Sequence, residues 1–167
     1  MICFRKDEPN VPQISLNSTL IDQVSSVKLL GVYISSSLKW ATHVDYIYKK
    51  ASSRVYFIIV LRRSGVHGKE LFKIYSSIIR PVLEYGCQIW HSSLTKEEED
   101  TLESIQKRCF KVIWPELTYT DAITELKTDT LFNRRETICL NLFKKMKSKD
   151  HKLNFILPEK NSYMYSL

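Results

Sequence analysis

Residues 78–114, IIRPVLEYGCQIWHSSLTKEEEDTLESIQKRCFKVIW, constrain this chain more than any other stretch. An apolar, aromatic segment interrupted by a proline runs into a helix signature that starts acidic and ends basic. Thr95, followed three residues on by Glu98, reads as a capping box, and the acidic run 97–100 suits the positive end of a helix dipole. Leu102, Ile105, Cys109 and Val112 then recur on one face, while Lys107, Arg108 and Lys111 gather about the opposite one. Such a helix must lay one side on a core and keep the other in water.

Helical periodicity starts earlier, at Thr42. Thr42 with Asp45 reads as another capping box, and Val44, Ile47, Tyr48, Ala51, Val55 and Ile58 follow at three- and four-residue steps. Residues 55–61, VYFIIVL, have strand propensity, but no turn residue separates them from the helix before. As helix they are apolar all round, which predicts burial from two sides by something outside this chain. The two glycines in 64–68 end that helix. A second runs over 69–90, with a kink or break at 79–81 because Pro81 has no N–H to donate. Thr118 with Asp121 opens a short helix, and a last one over 131–147 carries Phe132, Cys139, Leu142, Phe143 and Met146 on one face. Arg135 falls within that apolar stripe, where a side chain snorkelling to water fits better than a buried ion pair. Ahead of the helices, residues 2–4 look like the end of a strand, followed by Pro9 and Pro12. Residues 14–20 and 27–35 read as the two strands of one β-hairpin, with Gly31 marking a bulge or a close backbone approach. Past Ser148 the chain is polar, aperiodic and expected to fray.

A net charge of +7 favours a polyanionic partner, and its distribution says where. Residues 41–65 hold five basic side chains against one acidic, 95–117 hold four against six, and the chain from Thr118 on holds nine against six. Cys3, Cys87, Cys109 and Cys139 show no paired spacing and read as reduced thiols of an intracellular protein; Cys109 and Cys139 sit on apolar stripes as small core residues. No apolar run approaches the ~20 residues that span a bilayer. Lys107, Arg108 and Lys111, and likewise Lys49, Lys50 and Arg54 on the first helix, are placed to track a phosphate backbone, or simply form solvated faces. Lys144, Lys145, Lys147 and Lys149 need no more than a helix C-terminus that prefers cations. His43, His67, His91 and His151 make no zinc or iron spacing. Trp40, Trp90 and Trp114 close their segments as core anchors, with base stacking the alternative.

Six phrases occur in order: ICF, KLLGVYISSSLKW, HVDYIYKKASSRVYF, IIRPVLEYGCQIWHSSL, ESIQKRCFKVI and LFNRRETICLNLFKKM. Together they resemble the C-terminal part of the polymerase domain, palm end plus thumb, in reverse transcriptases of non-LTR (LINE-type) retrotransposons. The resemblance implies that Leu30, Gly31 and Val32 belong to a primer-grip-like hairpin and that the chain from Trp40 on is a helical thumb gripping the template–primer duplex. Such enzymes hold two magnesium ions on palm aspartates that include a YxDD turn. This chain has no adjacent Asp pair, and Met1 falls where a palm strand should already be under way, so a truncated reading frame without catalysis is expected. Residues 43–63 are also similar to a helical segment ahead of the RNA-binding module in AlkB-type tRNA-modifying proteins, and HVD at 43–45 partly matches the iron-binding HxD of that chemistry.

The expected fold is α+β and mostly α: a palm-end remnant with a short β-hairpin over 1–37, a thumb-like bundle of four to five helices over 38–147, and a polar tail over 148–167. The expected partners are the backbone of an RNA–DNA hybrid or duplex and the missing palm and fingers. A helical protein-interaction module using 55–61 as its docking surface is the competing class.

Overall fold

The computed structural model describes residues 2–4 and 14–158. The expectation for Pro9 and Pro12 lies outside them, as does 159–167 of the tail. The fold is α+β and mostly α, with two small hairpins ahead of a helical bundle.

Residues 14–20 and 27–35 do not pair with each other. Each stretch folds back on itself, β1 (Ser15–Leu16) on β2 (Thr19–Leu20) and β3 (Ser26–Leu29) on β4 (Val32–Ser35), both antiparallel. The turns explain the difference. Asn17 and Ser18 in the first, and Leu30 and Gly31 in the second, all take positive φ, as two-residue hairpin loops require. Gly31, at φ +86°, is thus a turn residue and no bulge, and a Cβ there would stand 3.3 Å from the Tyr85 ring. Residues 2–4 form no strand. Only β4 reaches the core, through Val32.

Helix α1 (Ala41–Arg63) starts one residue ahead of the expected box. Trp40 is its N-cap with no side-chain hydrogen bond, and Asp45 instead pairs with Lys49 at 2.7 Å. Val44, Ile47, Ala51, Val55 and Ile58 turn inward. The segment 55–61 is covered on one side only: Tyr56 and Phe57 stay 63% and 60% exposed. Gly65, at φ +86°, ends the helix as expected.

The stretch 69–90 is several pieces. Helix α2 (Gly68–Ile74) passes into a π-turn, Tyr75–Ile79, closed by the Arg80 N–H on the Tyr75 carbonyl, and then into α3 (Arg80–Glu84). Widening the turn by one residue lets Pro81 enter the first turn of α3, where its missing N–H costs least, so no break occurs there. The break comes at Gly86, φ +63°, before α4 (Cys87–Trp90), and the Trp90 indole N–H donates to the Tyr85 carbonyl at 3.2 Å. A short 3₁₀ turn, His91–Ser93, leads to α5 (Lys96–Ile113), whose Thr95/Glu98 capping box forms in both directions.

Helix α6 (Tyr119–Glu125) is capped by Thr118 as expected, and α7 (Leu131–Met146) by Thr130. The inward face of α7 is Leu131, Arg135, Ile138 and Leu142, with Cys139 also packed against the core as expected; Phe132 and Phe143, expected inside, stay 37% and 44% exposed. Past α7 the chain does not simply fray: Asn154 donates to the Met146 carbonyl at 2.8 Å and opens a 3₁₀ turn, Asn154–Ile156.

The core lies where α1 and α5 pack along each other, with α2, the π-turn, α3 and α7 closing round them. Phe72, Tyr75, Phe110 and Trp114 cluster mostly edge to face at one end, and Trp90 is fully buried at the other. Arg134 ties α7 to α3 through both Glu84 oxygens, at 2.6 and 3.3 Å. A polar chain crosses the interior. Tyr75 donates to Gln106 Oε1, Gln106 Nε2 donates to the Tyr119 hydroxyl and the Asp129 carbonyl, and Tyr119 donates to Glu103.

Candidate nucleic-acid interface

The three α1 cations meet different fates. Lys49 is taken by Asp45, and the Arg54 guanidinium donates to the Ile78 carbonyl at 2.6 Å, bracing α1 against the π-turn. Lys50 lies 5.7 Å from the Tyr46 ring, and its charge helps to lower the pKa of that phenol. On α5, Lys107 lies 5.6 Å from the Tyr119 ring and Lys111 donates to the Pro115 carbonyl at 2.7 Å, closing the helix end. Arg108 is exposed and, among the described residues, makes no hydrogen bond or ion pair. The α1 and α5 groups line different clefts. Lys107 and Lys111 border a shallow cleft against α6, whereas Lys50 faces the hairpin.

The hairpin turn creates the more specific geometry. Val32 is buried, but Leu30 projects into solvent at 83% exposure. The Tyr85 hydroxyl donates to the Leu30 carbonyl at 2.9 Å, and its ring lies against Gly31, so the β3–β4 turn is clamped by the end of α3. From β3, Lys28 donates to the Tyr46 hydroxyl at 3.0 Å with its ammonium 4.3 Å from that ring. That hydrogen bond holds the Lys28 pKa above and the Tyr46 pKa below their ordinary values. Lys28, Gly31, Tyr46, Lys50, Val82 and Tyr85 together line a cleft of about 290 Å³. Two ammonium groups, two phenols and an exposed aromatic face are what a phosphodiester and its sugar or base would meet. Lys28, Tyr46 and Tyr85 were missed from sequence, although all three lie inside the quoted phrases KLLGVYISSSLKW, HVDYIYKKASSRVYF and IIRPVLEYGCQIWHSSL. Pairs 18 and 55 residues apart leave no local signature.

The buried polar side chains serve the fold. The His43 Nδ1 accepts the Tyr33 N–H at 3.3 Å, and its ring packs edge-on against Trp90. The HVD motif is therefore split, with His43 in the core and Asp45 in water, as two residues along a helix dictate. Burial lowers the pKa of His43, and burial with Arg135 lowers that of His91. Arg135 does not snorkel. It is fully buried, with Nε 3.4 Å from His91 Nδ1, the guanidinium 5.6 Å from the Trp90 ring, and both Nη atoms without a partner. Burial pushes the Cys87 and Cys109 thiols up to about 12, leaving them inert at neutral pH. Among the described residues no three His, Cys, Asp or Glu side chains converge to hold a metal ion. No helix among them is long and apolar enough to cross a membrane.

The chain is similar to the probable RNA-directed DNA polymerase from transposon X-element of Drosophila melanogaster, at 28% identity over 91 residues. The match takes in 53% of this chain and 10% of that protein, so the chain spans about a tenth of the relative's length. No family model matches the chain. No solved structure matches it.

Proposed function

We propose that the chain is a non-catalytic part of a non-LTR (LINE-type) retrotransposon reverse transcriptase, from palm end to thumb, that holds the phosphate backbone of a template–primer duplex. The cleft at the β3–β4 turn carries the reading. It brings Lys28 and Lys50 to the turn formed by Leu30, Gly31 and Val32, which is where the resemblance assigns a primer grip. The likeness to a transposon RNA-directed DNA polymerase supports the same origin. In this reading 1–37 is the palm remnant, 38–147 the thumb and 148–167 a tail, and the palm and fingers are partners supplied by another part of the enzyme. Catalytic magnesium belongs to that palm, because this chain has no adjacent Asp pair to hold it. Arg108, Lys107 and Lys111 form a second, separate contact with the backbone.

Binding to an RNA–DNA hybrid should be insensitive to sequence and fall steeply with salt, since phosphate contacts release counterions. Neutralising Lys28 and Lys50 to Gln should reduce the slope of log K against log salt by about two, and neutralising the α5 trio by about three. Primed-template assays with magnesium should show no incorporation. Salt-independent binding, or slopes unchanged in both variants, would sink the proposal. The exposed Tyr56 and Phe57 favour a second reading, a helical protein-docking module. Its binding should survive high salt and fail in Tyr56→Ser/Phe57→Ser.

A further inference from the structure

We propose that α7 is a dimerisation helix, which pairs antiparallel with the α7 of a second copy of this chain. The inward face of α7 runs through Leu131, Arg135, Ile138 and Leu142. Turned roughly 130° from it, at about 100° per residue, lies an outward stripe of Phe132, Glu136, Leu140, Phe143 and Lys147. Its apolar members remain 37%, 51% and 44% exposed at Phe132, Leu140 and Phe143. With Cys139, Glu99 and Glu136 they line an open cleft of about 370 Å³ against α5 and the turn after α4.

The occupant follows from the order of the residues. Glu136, Leu140, Phe143 and Lys147 are spaced four, three and four, the seam spacing of paired helices, and that spacing reads the same in both directions. Laid antiparallel on a copy of itself about the midpoint between residues 141 and 142, the stripe sets Leu140 against Phe143 and Glu136 against Lys147, twice over. Among the described residues Glu136 makes no ion pair, its charge acting only on nearby His91 and Cys139, and Lys147 rests 4.9 Å over the ring of its own Phe143. A seam apolar at its centre and oppositely charged at its two ends is complementary to itself under a two-fold axis, as an isologous interface demands. A basic or an acidic partner would satisfy only one end.

Sedimentation velocity of the full chain, from micromolar to hundreds of micromolar in low salt, should show a reversible monomer–dimer equilibrium. Glu136→Lys and Lys147→Glu should each weaken it about tenfold, because symmetry doubles each repulsion, and combining both should restore it. Leu140→Asp should abolish it. All three positions are exposed, so circular dichroism spectra of the variants should match the parent and exclude misfolding. A chain monomeric throughout would overturn the proposal and leave the face to a different protein. A dimer indifferent to Leu140→Asp, or a double reversal that fails to restore association, would overturn it equally.

Discussion

Replacing Glu103 by Ala should damage this fold more than any surface charge change, because one carboxylate serves three donors. Glu103 is 8% exposed on α5 and accepts the Leu131 and Phe132 N–H groups at 3.2 and 3.3 Å, together with the Tyr119 hydroxyl. It thus caps α7 from a neighbouring helix, beside the local Thr130 cap on Asn133. Hydrogen bonds to a charged group contribute about 1.5–3 kcal/mol each, and an orphaned buried donor costs about 1–3 kcal/mol. Leu131 is fully buried, so no water reaches its N–H, and the Tyr119 hydroxyl loses its acceptor because Gln106 only donates to it, whereas Phe132 is exposed enough to be rescued. The loss should therefore be about 3–5 kcal/mol, a large part of the 5–15 kcal/mol that holds a typical domain. The Glu103 charge also offsets part of the burial penalty of Arg135. Glu103→Ala should consequently hurt less in an Arg135→Met background than alone. Urea unfolding followed by tryptophan fluorescence measures both. A loss under about 1 kcal/mol at unchanged m-value would refute the capping argument.

Arg135→Met alone should leave stability unchanged or raise it by about 1–2 kcal/mol, since the buried cation has two unpartnered Nη atoms and no ion pair; thermal unfolding decides. Gly31→Ala should lower stability by about 1–2 kcal/mol and weaken hybrid binding, because the turn needs positive φ and the added carbon would press on Tyr85. His43 and His91 have pKa values lowered by burial, so the unfolded chain takes up their protons first as pH falls. Their stabilisation is complete above the unfolded value near 6.5 and is lost as pH falls through the folded values; His91→Gln should flatten the decline of stability measured between pH 7.5 and 5.

Local chemistry was legible in the sequence wherever a signal and its effect lie within one turn. The Thr95–Glu98 and Thr118–Asp121 caps, the glycine stop after α1 and the apolar face of α5 all depend on residues three or four apart, and all formed. The same logic erred at Thr42–Asp45: the helix begins at Ala41 with Trp40 as its N-cap, and Asp45 pairs with Lys49. For α7, periodicity identified a helix and put Cys139 and Leu142 on its half-buried side, but it also placed Phe132 and Phe143 inside and turned Arg135 to water. The rotation of α7 is set by Glu84 gripping Arg134, Glu103 capping Leu131, and Trp90 and His91 receiving Arg135.

The sequence alone therefore determined which segments are helical, how most of them start and stop, and that the chain is basic in its first helix and in its C-terminal region. Tertiary structure decided which side of each helix faces the core, that the two N-terminal stretches close on themselves, and that Lys28, Tyr46, Lys50 and Tyr85 share one cleft. The division is physical. Capping and periodicity act within a turn of the residues that encode them, whereas a cleft is made by side chains from three elements whose approach is fixed only when the whole core closes.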